Sequence, residues 1–526
     1  MRLLHFVHND KGDIFQRSPG EYRLVLYIPL AAAGVPAAEL RENVSVTFPT
    51  IPADRVSEDV IERTLYSRDV APVPAIMVKP FFRTLPDAII RPGTAQHVAE
   101  VMRQAVHGRI PVTPRAAAST SYYNSVPVRG GWVLDVNDMR GGIELDTARQ
   151  TVRVLPATTW FELDDALQRR GFAVKSYPSS AVSATVGGWV SMQGHGMGSL
   201  KYGGVGELLV SLQVALPNGE LVTVTRESDP PLDWFVAAEG TLGVITQVEL
   251  TVRPRPAVES HHLFAFDDLN ALGLNVASLA RTEPRPFTIF FADSGFLRLL
   301  ARAGFHIPLD LPPSHFPVSE KGLLLVSFQG EPSEVNQGKD RLTRVAGREL
   351  SSGMALEEWN MRLYHLRVKR AGPTLLAAES WLPIDALHNY LASVKALAKR
   401  SRLLIGTYGL AVTPDMALVM SLYPTDERLT VKYLAALGFT KRLHDLAARY
   451  GGWPYGVGLW NSAYVPRLFS PTRLAELKRR KARLDPSDIM NPGKLYQTSF
   501  PLWPITFGIG AMALGAAHVA LGRERS

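Results

Sequence analysis

The chemistry-bearing part of this sequence is a glycine-dense stretch, ATVGGWVSMQGHGMGSLKYGGVG, beginning at Ala184. Gly187, Gly188, Gly194, Gly196, Gly198, Gly203, Gly204 and Gly206 fall within it, and His195 is its one imidazole. Glycine at this density lets main chain approach something bulky, and it offers bare N–H groups to anionic oxygens. A second glycine run, Glu239-Gly240-Thr241-Leu242-Gly243-Val244-Ile245, follows a short acidic linker.

Alternating strands must position these runs. Val210, Leu212, Val214 and Leu216 share one face, Pro217-Asn218-Gly219 turns the chain, and Leu221 to Val224 runs back as a hairpin. Val248, Leu250 and Val252 mark a further strand after the second glycine run. Upstream, Arg55 to Ser67 suits a helix with Ser57 as N-cap. Leu85 to Pro92 reads as a strand. Thr94 caps a helix with Val98, Val101, Met102, Ala105 and Val106 on one face. Short strands follow at Ile110 to Thr113 and Gly131 to Val136. Trp160 to Arg170 is amphipathic, and Phe172 to Lys175 is strand-like.

The chain has 526 residues, 46% of them hydrophobic and 20% charged, which is the composition of a globular protein large enough for several cores. Its net charge of +8 is spread out. No basic run is interleaved with aromatics, so nucleic acid is not an expected partner. There is no cysteine. Disulfides, iron–sulfur clusters and a cysteinyl flavin bond are thereby excluded within this chain.

The order ATVGGWVSMQGHGMGSLKYG, hairpin, AEGTLGVIT, and later DPSDIMNPGKLY resembles the FAD-linked oxidases of the vanillyl-alcohol oxidase superfamily. Within it the sequence resembles glycolate oxidase and D-lactate dehydrogenase flavin subunits and alkyl-dihydroxyacetone-phosphate synthase. The resemblance implies an α+β fold: a PCMH-type FAD-binding domain of two α+β subdomains plus an α+β cap domain. The expected layout is an unassigned extension at 1–54, the FAD domain at 55–255, the cap at 256–450, a return to the FAD domain at 451–497, and a hydrophobic tail at 498–526.

By the same resemblance, Pro114-Arg115-Ala116-Ala117-Ala118-Ser119-Thr120 occupies the place of a loop whose N–H groups hold the FAD pyrophosphate. Alanines stand where the family has glycines. Alanine keeps the N–H but reaches positive φ less readily. Ser179, Ser180, Ser183, Thr185, Gly187, Gly188, Met192, Gln193, Gly194 and His195 are expected along the isoalloxazine and pyrophosphate. Glu239, Gly240, Thr241, Gly243, Val244 and Ile245 are expected towards the adenine. No histidine lies in the 114–120 loop, so FAD is expected to be non-covalent.

In the cap, Trp359 to Arg370 carries Tyr364, His365 and Arg367, followed by Glu379-Ser380-Trp381. The family has an arginine about here for an anionic substrate group; Arg367 is the candidate, since guanidinium pairs well with carboxylate or phosphate. His365 is a catalytic candidate beside it. Two departures stand out. Gly406 to Ala411 replaces a histidine-rich segment, and Tyr455 in Trp453-Pro454-Tyr455-Gly456-Val457-Gly458 stands at a family histidine. No metal site is therefore expected. Tyr455 is the candidate to replace that histidine, although a free phenol with a pKa near 10 is a poor base at neutral pH.

The implied function is an FAD-dependent oxidation of a 2-hydroxy acid or related alcohol, with a quinone or an electron-transfer protein as acceptor. Two rivals are a non-redox transferase like the ether-lipid synthase and a non-catalytic flavin subunit of a larger complex. Phe500 to Leu521 is apolar over a length that can cross or lie on a bilayer. A hydrophobic C-terminal helix, membrane contact, and a cytoplasmic location at the inner face of the membrane are the corresponding expectations.

Overall fold

The structure, a computed structural model, describes residues 46–71, 78, 81–304 and 321–497. Residues 1–45 of the unassigned extension and the hydrophobic tail lie outside them.

Four strands form the first sheet, in the order Val56–Ser57, Ala88–Ile90, Trp132–Asp135, Val112–Arg115. The inner pairs are parallel, with Ala88 opposite Trp132 and Val112 also opposite Trp132. The helix Ala95–Gly108 covers this sheet. Thr94 Oγ1 accepts from the His97 N–H at 3.2 Å, and Val98, Val101, Met102 and Ala105 are buried, as the apolar spacing requires. The expected helix at 55–67 is shorter than its pattern. It runs Val60–Tyr66 under an Asp59 cap that accepts from the Ile61 and Glu62 N–H groups, and Ser57 pairs in a strand with Ile89. A carboxylate held by two N–H groups caps better than an upstream serine already committed to a ladder.

A second, antiparallel sheet has the order Glu144–Asp146, Thr151–Val154, Val244–Thr251, Leu209–Ala215, Leu221–Val224. The expected hairpin is present, with Ala215 opposite Leu221 and Leu212 opposite Val224. The amphipathic helix Trp160–Gln168 buries Trp160, Leu163 and Leu167 and starts with a Thr159–Glu162 capping box.

The eight-stranded third sheet has the order Arg348–Glu349, Val258–Phe266, Gly322–Gly330, Thr288–Asp293, Gly406–Ala411, Met416–Thr425, Thr374–Pro383, Trp453–Pro454. Every pairing in it is antiparallel. Helices Leu269–Ala280, Leu387–Ser401 and Thr430–Arg449 pack on it.

The chain then returns to the first sheet. Ser470 caps the helix Pro471–Leu484, accepting from the Arg473 N–H at 3.2 Å. Val112 donates to Ile489 O at 2.7 Å and accepts from the Asn491 N–H at 2.8 Å, so the DPSDIMNPGKLY segment pairs with the sheet edge. Lys481, buried at the end of the helix, donates to Thr241 O at 3.0 Å and Met490 O at 2.7 Å and pairs with Asp485. Among the described residues no helix is long and apolar enough to cross a membrane.

Candidate active site

One cleft runs between the first two sheets and one face of the third. It holds about 2110 Å³ of non-atom space, part of it open to solvent. The strand Val112–Arg115 delivers the loop 116–121 to its wall, and Arg115 fixes the loop's base by donating to Arg68 O at 2.7 Å and Ser125 O at 3.3 Å. Among the described residues nothing accepts from the main-chain N–H groups of residues 116–121. These residues are half-buried to exposed on the cleft, and a row of main-chain N–H groups open to it can receive anionic oxygens. Ala118 holds φ 49°, the left-handed conformation expected to be harder for alanine than for glycine.

Opposite this loop, Thr185 Oγ1 accepts from the Gly188 N–H at 3.3 Å at the start of Val186–Ser191, and Gly187 lies against Pro156, where a Cβ would meet Pro156 Cβ at 2.7 Å. Gly240, at φ 70°, sits so close to Pro114 that a Cβ would lie 2.5 Å from its Cγ. The fit with a dinucleotide rests on these features: close main-chain approach on two sides and unpaired N–H groups on a third.

Most of the expected cofactor residues line this cleft: Pro114 to Thr120, Ser179, Ser180, Thr185, Gly187, Gly188, Met192, His195, Glu239, Gly240, Gly243, Val244 and Ile245. Tyr455 lines it too. Six expected residues are placed elsewhere. Ser183 is exposed in a turn, its N–H donating to Ser180 O. Gly194 packs on the Trp189 ring. Gln193 and Thr241 face a second cavity, which Trp234, Trp381, Trp453 and Tyr496 also line. His365 is buried, stacked on Phe290 at 4.2 Å with its Nε2 3.1 Å from Glu358 Oε1. Arg367 is in the same turn, His365–Ala371, but its neighbours Leu366 and Lys369 are the ones that line the cleft. The turn is a 3-10 helix, whose three-residue repeat sets which of its side chains face the cleft.

Glu239 holds φ 48° and spends its carboxylate on the return segment, accepting from the Val457 N–H at 3.2 Å and the Gly458 N–H at 2.9 Å. Burial pushes it up to about 7. Tyr455 Oη accepts from the His195 N–H at 3.1 Å, and the Tyr455 N–H donates to Glu379 O at 3.0 Å. Burial, then the nearby Glu379, pushes the phenol far up, so Tyr455 is a neutral hydrogen-bonding group rather than a base. His195 sits edge-on to Trp381 at 4.7 Å with Nδ1 3.0 Å from Gln193 O, and burial lowers its pKa.

Sequence reasoning gave no role to Glu379, Tyr122 and His444, which also line the cleft. The Tyr122 phenol donates to Glu379 Oε2. Burial pushes Glu379 up to about 7, with the Tyr122 hydrogen bond acting against it. His444 Nδ1 lies 3.1 Å from Ser380 Oγ, and burial lowers the ring to about 4. The available signal was the pattern TLLAAESWLP, in which strand alternation puts a lone carboxylate on the same face as Leu375 and Ala377.

Residues 86–225 match the FAD binding domain family, and residues 255–495 match the C-terminal domain of FAD linked oxidases. The chain belongs to the FAD-linked oxidases. It is an FAD-dependent oxidoreductase, and FAD is its cofactor. It is 24% identical over 451 residues to glycolate oxidase subunit GlcD of Bacillus subtilis, covering 82% of this chain and 92% of the relative. It is 23% identical over 432 residues to a D-lactate dehydrogenase of Anaerostipes hadrus, covering 78% and 89%. Among solved structures it is similar to alkyldihydroxyacetonephosphate synthase, with TM-score 0.69, 18% identity and coverage of 87% of each chain. It is also similar to substrate-bound p-cresol methylhydroxylase, with TM-score 0.69, 17% identity and coverage of 85% and 95%. These likenesses fix the α+β fold of this FAD-linked oxidase.

Proposed function

We propose that this flavoenzyme oxidises the carbon of a 2-hydroxy acid or related alcohol and passes the electrons to a quinone or a partner protein. The observation that carries this reading is the unpaired N–H row of residues 116–121 in a cleft whose far end is a buried carboxyl–phenol pair. Relatives named glycolate oxidase and D-lactate dehydrogenase support the substrate class. The absence of cysteine places any iron–sulfur relay on another polypeptide.

Residues 114–120 would hold the pyrophosphate, Thr185 to Gly188 would press on it from the opposite wall, and Gly240 to Ile245 would close the cleft beside Pro114. Bound FAD supplies the oxidising power, taking up a hydrogen with its electron pair from the substrate carbon. The chain's own task is to orient that carbon, exclude water and receive the hydroxyl proton. We assign the flavin-holding part to 55–255 with 451–497 and the cap to 256–450, and we assign membrane contact to the tail.

The deciding experiment is an absorption spectrum of the purified protein followed by anaerobic addition of hydroxy acids and alcohols. Visible flavin bands that bleach with one of them are expected. Flavin that stays oxidised with every candidate overturns the proposal. Acid precipitation should leave the flavin in the supernatant; flavin in the pellet refutes non-covalent binding.

A further inference from the structure

The cap end of the cleft is a sheet face. Alternation along Thr374–Pro383 presents Leu375, Ala377 and Glu379 to it, and the register continues this face across Leu418, Met420, Tyr408 and Leu410. Among the residues lining the whole cleft, the lysines and arginines are Arg115 and Lys369. Arg115 is tied to main-chain carbonyls at the loop end. Lys369 is exposed. The sheet face around Glu379 is apolar at Leu375, Ala377, Leu410, Leu418 and Met420, and Lys369 stands on the cleft wall in the turn His365–Ala371.

Glu379 itself is built in. Tyr122 donates to Oε2, while among the described residues nothing donates to Oε1, and the residue keeps accessible surface on the cleft side. Tyr122 is immobilised from behind: its carbonyl accepts from the Leu459 and Trp460 N–H groups at 3.0 and 3.1 Å, and its ring lies where a Cβ on Gly456 would come within 2.3 Å.

We propose that this end of the cleft takes an uncharged alcohol with an apolar body, that Glu379 accepts its hydroxyl proton at Oε1, and that Tyr122 holds the carboxyl in position. The inference rests on the flavin-dependent oxidation above and narrows its substrate. In the step, the O–H bond breaks and the proton goes to Glu379. The C–H bond breaks and its hydrogen leaves with the electron pair to the flavin, the oxidant. The carbon–oxygen double bond forms, and Glu379 later returns its proton to solvent. A hydroxy acid would set a second carboxylate beside the first against this apolar face, which like-charge repulsion and desolvation both oppose.

The pKa of Glu379, about 7, is that of a base poised at neutral pH. The neighbouring titratable groups leave it this role. Burial pushes the phenols of Tyr122, Tyr455 and Tyr408 far up. Burial lowers His195 and His444, keeping them neutral, and Glu239 is committed to the Val457 and Gly458 N–H groups.

The test uses the purified flavin-loaded protein under anaerobic conditions. Benzyl alcohol and medium-chain aliphatic alcohols are compared with glycolate and D-lactate, and benzamide is compared with benzoate by spectral titration of the bound flavin. Neutral alcohols should bleach the flavin and the hydroxy acids should not. Benzamide should bind at least about tenfold tighter than benzoate near pH 8, a gap that closes in Glu379→Gln. That variant should keep its flavin and reduce it roughly 10²- to 10⁴-fold more slowly, without the pH limb near neutrality. Tyr122→Phe, the second variant, should move that limb to higher pH, because the lost hydrogen bond favoured the carboxylate. Reduction by hydroxy acids but not by alcohols overturns this inference and leaves the oxidoreductase reading standing. Reduction by neither tells against the oxidation of a hydroxy acid or alcohol proposed above. In that case equal affinity for benzamide and benzoate would also overturn the pocket assignment.

Discussion

Replacing Glu379 by glutamine removes a buried ionisable group while keeping an oxygen for the Tyr122 phenol. Its folded pKa, about 7, lies above the unfolded value of 4.5. Between those values the folded chain holds a proton that the unfolded chain has released. The stabilisation linked to this proton is complete below the unfolded value and is lost as pH rises through the folded one. Titration over this window corresponds to about 2–3 kcal/mol between about pH 5 and about pH 8. The measurement is urea unfolding of the flavin-free protein and the Glu379→Gln variant at both pH values. The variant should gain stability relative to the parent by that amount on going to the higher pH. A difference between the two proteins that stays constant with pH would refute the idea that Glu379 is a desolvated carboxyl.

Gly240→Ala forces a side chain into a left-handed position with Pro114 Cγ 2.5 Å away, so it should lower stability by roughly 1–3 kcal/mol and abolish flavin retention on gel filtration. Asn491→Ala removes donations to Asn124 O at 2.9 Å and Glu239 O at 2.8 Å, both buried; a loss of roughly 1–3 kcal/mol per stranded acceptor should appear as a lower Tm and a weaker flavin affinity. Tyr455→Phe should leave the pH limb near neutrality in place, because its phenol is already neutral there; a shift of that limb would make Tyr455 the titrating group.

The flavin-domain strands and the cradle loop could be read from the sequence because their signals are local. Glycine spacing, the Thr94 cap and the Pro217-Asn218-Gly219 turn act within a few residues of themselves. The cap end was less legible. Arg367 and His365 are candidates by family resemblance alone; the segment winds as a 3-10 turn in which His365 packs against Phe290 while Leu366 and Lys369 line the cleft. Glu379 and Tyr122 are far apart in the chain, and no periodicity in either segment announces a hydrogen bond between them. Ser57 shows the same limit on a small scale: its capping chemistry was correct in kind but was overridden by pairing with Ile89.

The returning segment has a consequence for the order of synthesis. Val457 and Gly458 hold Glu239, Asn491 bridges Asn124 and Glu239, and buried Lys494 donates to Val126 O. A ribosome that has made everything before Trp453 has released all the glycine-rich parts, yet one wall of the cleft is still missing. Nascent chains stalled there should bind no flavin, whereas chains stalled with this segment clear of the exit tunnel should. Cofactor capture is thus one of the last events in the life of the nascent polypeptide.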